Sequence, residues 1–422
     1  MRASQNPSPA MSTDTSSAAT SVERRASTWR YIFAGLCASL VTIGLARFAY
    51  TPLLPSLIQA HWFATADVVY LGAANLMGYL IGAIAGRPLG RHLTNGHTLR
   101  VMMVLVTAAF FACGYPVSVT WFFVWRLLSG VGGGAVMVLV AATVMPHVPG
   151  DRRGLASGAL FLGLGLGIAG SGTVIPLLLN LGLSETWIGL GVLSAVLTAA
   201  TWTAWPSAHA HAAVMHAHQQ SAIPHQPAGA QVHVLYTQYA VVAFGIVPTM
   251  VFLVDYIARG LGAGTHIGAL YWVLYGVGAI AGPPLYGWLA DRLGGARSMR
   301  FVMLAQGMFA LLLAMSGNRV AIGVLAVMIG SFPPGIVPMM LARVHEVFPG
   351  NHAGQNVAWS RLTIMFAAFQ AAAGYICSSI FNGSGGSHRM LFAISAAAFF
   401  ICVLADLIGS RFAARASRAS RG

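Results

Sequence analysis

The sequence predicts an all-α membrane protein whose twelve transmembrane helices form two pseudo-symmetric six-helix bundles. Three observations lead to this fold class. Hydrophobic residues make up 57% of the 422 residues and charged residues only 8%, whereas roughly a quarter of the residues in a soluble domain are charged. Apolar segments long enough to cross a bilayer recur twelve times along the chain. They fall into two sets of six, on either side of one polar stretch.

Each predicted span holds about 20 mostly apolar residues, the length that a helix needs to cross the hydrocarbon core. Apolar residues occur on all faces of these segments, which excludes the alternating pattern of a membrane β-barrel. The first six spans are predicted at 31–56, 66–86, 99–117, 119–145, 154–178 and 184–205, and the second six at 234–258, 266–289, 299–316, 319–341, 354–381 and 389–409.

The same pattern predicts the domain organisation. The chain divides into a disordered tail over 1–28, bundles over 29–205 and 234–409, a linker over 206–233 and a basic tail over 410–422. Two parallel six-helix repeats predict a binding site between them near the middle of the membrane. The linker is rich in histidine, and we interpret it as flexible; metal binding by its H-x-H pairs is the alternative.

The arginines predict the orientation. All 23 basic residues are arginine, and they punctuate apolar runs instead of forming one basic face, which argues against nucleic-acid binding. With a cytoplasmic N-terminus, most arginines fall on the cytoplasmic side, and Arg259, Arg319 and Arg389 fall in the opposite loops. The positive-inside rule therefore predicts a multi-pass protein of the cell inner membrane with both termini in the cytoplasm. We expect it to be a monomer surrounded by lipid.

Several segments carry recognisable motifs. Residues 287–294 read G-W-L-A-D-R-L-G, and the equivalent segment 82–91 is a degenerate copy with Gly86 at the place of Asp291. Residues 126–135 read R-L-L-S-G-V-G-G-G-A. These motifs resemble signatures of the major facilitator superfamily, and segments 46–55 and 254–262 resemble its YbfB/YjiJ-type branch. The resemblance covers nearly the whole chain outside the tails and implies the fold and transport activity of that superfamily.

The first of these motifs also predicts a gate at the cytoplasmic ends of the helices. Charges at helix ends can pair with neighbouring helices in one conformation and release them in another. The residues assigned to this gating motif are Gly82, Arg87, Gly90, Arg91, Gly287, Asp291, Arg292 and Gly294.

Three arginines, Arg47, Arg126 and Arg361, lie inside predicted spans. A charged group in the hydrocarbon costs about 2.5–3.5 kcal/mol on insertion scales, so each needs a physical reason. We predict that they line a central cavity and attract an anion, because guanidinium groups match carboxylate and phosphate geometry. The alternatives are an ion pair of Arg47 with Asp255, and snorkelling to an interface or structural pairing for Arg126 and Arg361.

Other polar and aromatic side chains within the spans complete the predicted substrate site. They are Tyr50, Asn75, Tyr79, Trp125, Tyr271, Tyr275, Trp359 and Gln370. For coupling to protons we assign Asp255, a carboxylate within helix 7 that could titrate against an arginine. Capping of the outer end of helix 7 is the alternative role for Asp255.

Together these features predict a secondary active transporter of a small organic anion that works by alternating access, without a cofactor. Efflux of hydrophobic compounds is the alternative, because glycines at 163, 167, 170 and 172 resemble the glycine motif of antiporters. An enzyme is excluded on the ground that the predicted spans contain no paired carboxylates, no histidine in their interiors and no nucleophilic triad.

Overall fold

The computed structural model describes residues 28–148, 153–206, 229–349 and 352–419. Its long helices are Thr28–Gln59 (α1), Thr65–Leu93 (α2), Asn95–Cys113 (α3), Val119–Val144 (α4), Arg153–Leu179 (α5), Leu183–Thr201 (α6), Gly229–Asp255 (α7), Thr265–Leu293 (α8), Gly295–Met315 (α9), Arg319–Val347 (α10), His352–Gly383 (α11) and His388–Ala419 (α12). Each contains a stretch long and apolar enough to cross a membrane, and no strand occurs within the described ranges. The predicted fold class is confirmed.

Several predicted boundaries differ from those of the helices. The predicted spans 66–86 and 266–289 end too early. Helix α2 continues to Leu93 and α8 to Leu293, so most of the predicted loops after these spans is helical. Both helices end where the next residue has a positive φ, +70° at Thr94 and +80° at Gly294. Helix α12 continues to Ala419, through most of the segment predicted as a tail. The predicted N-terminal tail and most of the histidine-rich linker lie outside the described residues.

Three helices are irregular at places that bear on function. A π-helical segment, Leu40–Leu45, interrupts α1 just before Arg47, and a second one, Tyr256–Gly260, follows Asp255 at the end of α7. Helix α10 is interrupted at Ser331, ahead of two prolines that cannot donate backbone hydrogen bonds. Single π-helical turns are frequent at functional sites.

The two halves repeat at an offset of 200 residues over α2–α4 and α8–α10. Helices α2 and α8 have corresponding ends, Thr65–Leu93 and Thr265–Leu293, and α3 and α9 begin at Asn95 and Gly295. Helices α4 and α10 likewise begin at Val119 and Arg319. The chain is therefore pseudo-symmetric in structure as well as in hydropathy.

The repeat extends to the way in which these helices pack. A Cβ atom on Gly130 would lie 2.1 Å from the carbonyl oxygen of Asn75, and one on Gly330 would lie 2.0 Å from that of Tyr275. Contacts this short leave no room for a side chain, so only glycine lets the backbones of α2 and α4, and of α8 and α10, approach this closely. The same glycine contact thus stabilises both bundles.

Three helix pairs make most of the contact between the two bundles in the described residues. Helix α5 packs on α8, where the indole of Trp272 donates to Ser171 Oγ at 3.0 Å. Helix α2 packs on α11, with Ser378 Oγ 3.5 Å from the carbonyl oxygen of Val69. Helix α1 packs on α7, where Thr51 Oγ1 donates to the Met250 carbonyl at 3.0 Å. The last pair borders the cavity that holds two of the buried arginines.

Candidate functional site

A small cavity lies between α1, α2 and α4 of the first bundle and α7 of the second. Its volume is about 20 Å³, which is room for roughly one water molecule. Its lining residues are Arg47, Phe48, Tyr50, Thr51, Gly72, Asn75, Leu76, Arg126, Met250 and Val251. Two arginines, three other polar or phenolic side chains and several apolar ones thus converge where the halves meet, near the middle of the spans.

Arg47 reaches from the first bundle to the second. Its Nη2 donates to Gln370 Oε1 at 2.5 Å and contacts Met250 Sδ at 3.7 Å. Its guanidinium carbon also lies 5.1 Å from the ring centroid of Tyr79. The alternative role for Arg47, an ion pair with Asp255, is not found, because these neutral groups surround Arg47 and because Asp255 has other partners, described below.

Arg126 lies on the other side of the cavity and contacts only the first bundle. Its Nη1 donates to the carbonyl oxygen of Ala46 at 2.6 Å, and its guanidinium carbon stands 4.4 Å from the ring centroid of Tyr50. Asn75 fixes the local backbone by donating to the Arg126 carbonyl and to Ser129 Oγ. Snorkelling is excluded for Arg126, whose side chain is buried among these groups.

Neither buried arginine has a carboxylate partner within the described part of the chain. The Nε atoms of both guanidinium groups are buried and make no hydrogen bond to any described residue. Unpaired donors on a buried cation are costly, so proteins normally satisfy them. Two such cations at one cavity constitute a positive site that can accept an anion.

The structure brings most of the predicted substrate-site residues to this cavity. Arg47, Tyr50, Asn75 and Arg126 line it, and Tyr79 and Gln370 contact Arg47. Tyr275, at the position equivalent to Asn75, is buried and close enough to Arg47 for an electrostatic interaction. Its hydroxyl has no hydrogen-bond partner among the described residues.

Two predicted residues face away from the cavity because of helical phase. Trp125 precedes Arg126 by one residue, or about 100° around the helix, and its ring packs on Trp121 instead. Arg361 is exposed. It lies nine residues before Gln370, which at about 100° per residue places it on the opposite side of α11.

Two further predicted residues lie too far along their helices. Tyr271 is one turn from Tyr275, and its hydroxyl donates to the carbonyl of Arg319 at 2.9 Å. Trp359 shares a face with Gln370 but lies about 16 Å from it along α11. Its ring packs near that of Tyr239. Neither residue lines the cavity.

Asp255 is fully buried at the far end of α7 and holds two partners. It accepts hydrogen bonds from Arg259, to Oδ2 at 2.6 Å and to Oδ1, and His388 Nε2 lies 2.7 Å from Oδ2. Sequence reasoning missed His388 because it placed the last span one residue later, at 389. It also passed over Asp406, although 406 lies within that span. Asp406 is buried and accepts from Gln238 and Arg300.

The predicted gating motif lies in the last turns of α2 and α8 instead of in loops. Gly82 is buried against α4, and Arg292 stands 5.3 Å from the Trp288 ring. A group that the sequence did not indicate also lies there. Glu346 of α10 accepts from the backbone N–H of Gly295 at 2.6 Å and from Arg343 at 2.9 Å. It thereby ties α10 to the start of α9.

Residues 39–407 match a protein family described as "Uncharacterised MFS-type transporter YbfB". The chain belongs to this family of the major facilitator superfamily. This is a family of transporters and not of enzymes, and its members are embedded in membranes, which agrees with the twelve apolar helices of span length in the described residues.

Two curated relatives have named substrates or functions. The chain is 29% identical to the 4-hydroxybenzoate transporter PcaK of Pseudomonas putida over 171 residues. This matched stretch is 40% of this chain and 37% of that protein. Over 129 residues the chain is 24% identical to the inner membrane metabolite transport protein YdjE of Escherichia coli, 31% of this chain and 28% of that protein. The matches thus span only about a third of the length of these relatives.

Proposed function

We propose that this transporter carries small organic carboxylates by alternating access, with Arg47 and Arg126 binding the carboxylate group. The observation that carries the proposal is the pair of buried guanidinium groups that share one cavity and have no described carboxylate partner. A carboxylate would accept hydrogen bonds from both guanidinium groups and neutralise charge that is otherwise buried at a cost.

Aromatic carboxylates are the first class to test. The rings of Phe48, Tyr50 and Tyr79 lie close to the two guanidinium groups and offer faces on which a benzoate ring could pack. The function of one relative, transport of 4-hydroxybenzoate, supports the same class. A benzoate needs more room than the cavity now offers, so binding requires the two bundles to move apart.

The alternative is efflux of hydrophobic compounds, and the glycines of α5 that favoured it have a packing explanation. Three of the four glycines in α5 have a packing role. Cβ atoms on Gly163 and Gly167 would lie within 2.5 Å of backbone atoms of α1, and one on Gly172 would lie 2.9 Å from the backbone nitrogen of Val273 in α8. These glycines permit close helix contact whatever the direction of transport.

Orientation, assembly and coupling complete the proposal. The arginine distribution supports an inner-membrane protein with both termini in the cytoplasm. We propose that it works as a monomer. Helix ends near Asp291 and Arg292 would then form the cytoplasmic gate. The coupling ion is a proton, and Asp255 with its partners is the group assigned to it.

Thermal unfolding of the purified protein in detergent tests the site. A ligand at roughly 100 times its Kd should raise the free energy of unfolding by about 2.7 kcal/mol. We expect 4-hydroxybenzoate to raise the melting temperature and a lipophilic cation to leave it unchanged. A rise with the cation alone would reject the carboxylate site and restore efflux as the better hypothesis.

Two arginine variants provide the matched comparison. Arg47→Gln removes a charge from the cavity and should weaken 4-hydroxybenzoate binding by a factor of roughly 30 or more, because losing one partner of a buried charge pair costs about 2–5 kcal/mol. Arg361→Gln removes an exposed charge from α11 and should leave the affinity within about twofold. Equal losses in both variants would mean that net charge, and not the cavity, determines binding.

A further inference from the structure

A buried charged group joins the ends of α7 and α12, and the substrate site does not use it. Asp255, the last α-helical residue of α7, has no exposed surface. Arg259 lies one turn further on and donates through Nε and Nη2 to the two carboxylate oxygens. His388, the first residue of α12, places Nε2 2.7 Å from Asp255 Oδ2. We name Asp255, Arg259 and His388 the outer triad.

The hydrogen bonds fix the charge of Asp255 and the position of one proton on His388. A carboxylate that accepts two donors from one guanidinium is held ionised, because protonation would remove an acceptor site. His388 must then donate its Nε2 proton to Asp255, since an unprotonated Nε2 would face the carboxylate with lone pair against lone pair. With neutral His388, the outer triad has no net charge.

The second ring nitrogen of His388 remains open. Nδ1 makes no hydrogen bond to any residue that the structure describes, and the side chain retains 9% of its exposure. A Cβ atom on Gly260 would lie 3.1 Å from Nδ1, so the glycine leaves that approach clear. The other groups facing the ring are the aromatic rings of Tyr256 and Phe381 and the carboxylate of Asp255.

We propose that His388 is the proton-binding residue of this transporter, taking a proton from water at Nδ1 while its Nε2–H stays bonded to Asp255. An O–H bond of a hydronium ion in the solvent breaks and leaves water, the N–H bond that forms at Nδ1 uses the lone pair of the imidazole, and the outer triad changes from neutral to singly positive. Histidine is suited to this because its charge changes near neutral pH. Asp255 is then the fixed counter-ion, and this replaces its assignment as the titrating group.

Helix α7 connects the outer triad to the arginine cavity. Met250 precedes Asp255 by five residues, about 7.5 Å along the helix. Its sulfur contacts Arg47, and its carbonyl accepts the hydroxyl of Thr51 in α1. A positive charge gained at His388 therefore acts on the helix that closes the substrate cavity. As a statement about coupling, this inference rests on the proposed carboxylate transport.

The first measurement concerns the proton alone and does not depend on transport. In protein labelled with nitrogen-15 histidine, the NMR signals absent from His388→Gln belong to His388. We expect its Nδ1 to become protonated reversibly as the pH is lowered, with Nε2 protonated throughout. A His388 that stays neutral at every pH at which the protein remains folded, or a proton that goes to Asp255, would overturn the proposal.

The second measurement uses proteoliposomes and radiolabelled 4-hydroxybenzoate. In His388→Gln, a pH gradient should no longer drive accumulation, whereas exchange of internal for external substrate should stay within about twofold of wild type. The control is His266→Gln, an exposed histidine at the start of α8, which should accumulate substrate normally. Gradient-driven accumulation in His388→Gln would contradict the proposal.

Two further results keep the inferences separate. If His388→Gln does not fold, Gly260→Ala serves instead, because the added methyl group would crowd Nδ1 of His388. This variant should reduce gradient-driven accumulation and leave substrate exchange unchanged. Accumulation that responds to pH as in wild type would count against the proton site. If wild type titrates at His388 but neither exchanges nor accumulates 4-hydroxybenzoate, the proposed substrate is wrong and the proton site stands.

Discussion

The two bundles share a scaffold but hold their buried charges in opposite ways. In the first bundle Arg47 and Arg126 are buried with neutral partners only, among the residues described. In the second bundle Asp255 and Asp406 are buried too, but each accepts from an arginine and from one further donor. No described carboxylate neutralises the charge of the first bundle, whereas that of the second is neutralised within the protein.

The difference indicates that the buried charges have different structural roles in the two halves. The acids of the second bundle tie α12 to α7 at both ends, through His388 and Asp255 at one and through Asp406 and Gln238 at the other. Helix α7 is thus fixed to its own bundle while it also contacts Arg47 of the other. The first bundle therefore contributes both buried cations of the cavity, and the second bundle contributes α7, which lines it.

The largest predicted effect concerns the close glycine contact between helices that both bundles contain. Gly130→Ala and Gly330→Ala would each place a methyl group about 2 Å from a backbone oxygen, at 2.1 and 2.0 Å. The helices would have to separate, and we expect a loss of about 3 kcal/mol or more in the free energy of unfolding, the upper end for overpacking. Thermal unfolding in detergent measures it.

The control for this pair is Gly170→Ala in α5, where a Cβ atom would meet nothing within 4 Å. It should leave the melting temperature unchanged or slightly raised, because alanine favours helix. A large loss in only one of the two packing variants would show that the bundles do not depend equally on the glycine contact and would break the comparison.

The next effect separates the two kinds of buried charge. Asp406→Asn leaves Arg300 without its carboxylate and should lower the free energy of unfolding by about 2 kcal/mol. This is less than the 3–5 kcal/mol for a fully buried pair, because Arg300 is 31% exposed and can turn to water.

Arg126→Met removes a buried cation that no described carboxylate neutralises. The melting temperature should therefore stay at the wild-type value or rise, while 4-hydroxybenzoate binding is lost.

Asp291→Asn is the control, because Asp291 is exposed at the end of α8 and should change the free energy of unfolding by less than about 0.5 kcal/mol. If Arg126→Met were as destabilising as Asp406→Asn, the buried arginines would be structural, and the contrast between the bundles would not reflect substrate binding.

The sequence was sufficient for the fold because hydropathy acts over whole segments. In a bilayer every backbone polar group must be satisfied, so an apolar run of span length has to be a helix. The boundaries were less accurate, since α2 and α8 continue for several residues beyond the apolar run. Their ends are set by turns at Thr94 and Gly294, which hydropathy does not reveal.

The site could be predicted only in part. Arg47 and Arg126 stand out because a charge within an apolar run needs a reason. Gln370 was also selected from the sequence, but its hydrogen bond to Arg47 was not, because the two residues lie 323 positions apart along the chain and meet only through the packing of α1 on the second bundle. Helical phase could have excluded Arg361, and extending the last span by one residue would have included His388.

The smallest predicted effect tests whether the second bundle also contributes to the substrate site. The hydroxyl of Tyr275 is buried without a partner among the described residues, near Arg47. Tyr275→Phe should raise the free energy of unfolding of the ligand-free protein by about 1 kcal/mol, because an unsatisfied buried group is removed. It should also weaken 4-hydroxybenzoate binding by a factor of roughly 3–10, since one hydrogen bond is worth about 0.5–1.5 kcal/mol. Isothermal titration and thermal unfolding of the same preparation measure both. A gain in stability with unchanged affinity would assign binding to the first bundle alone.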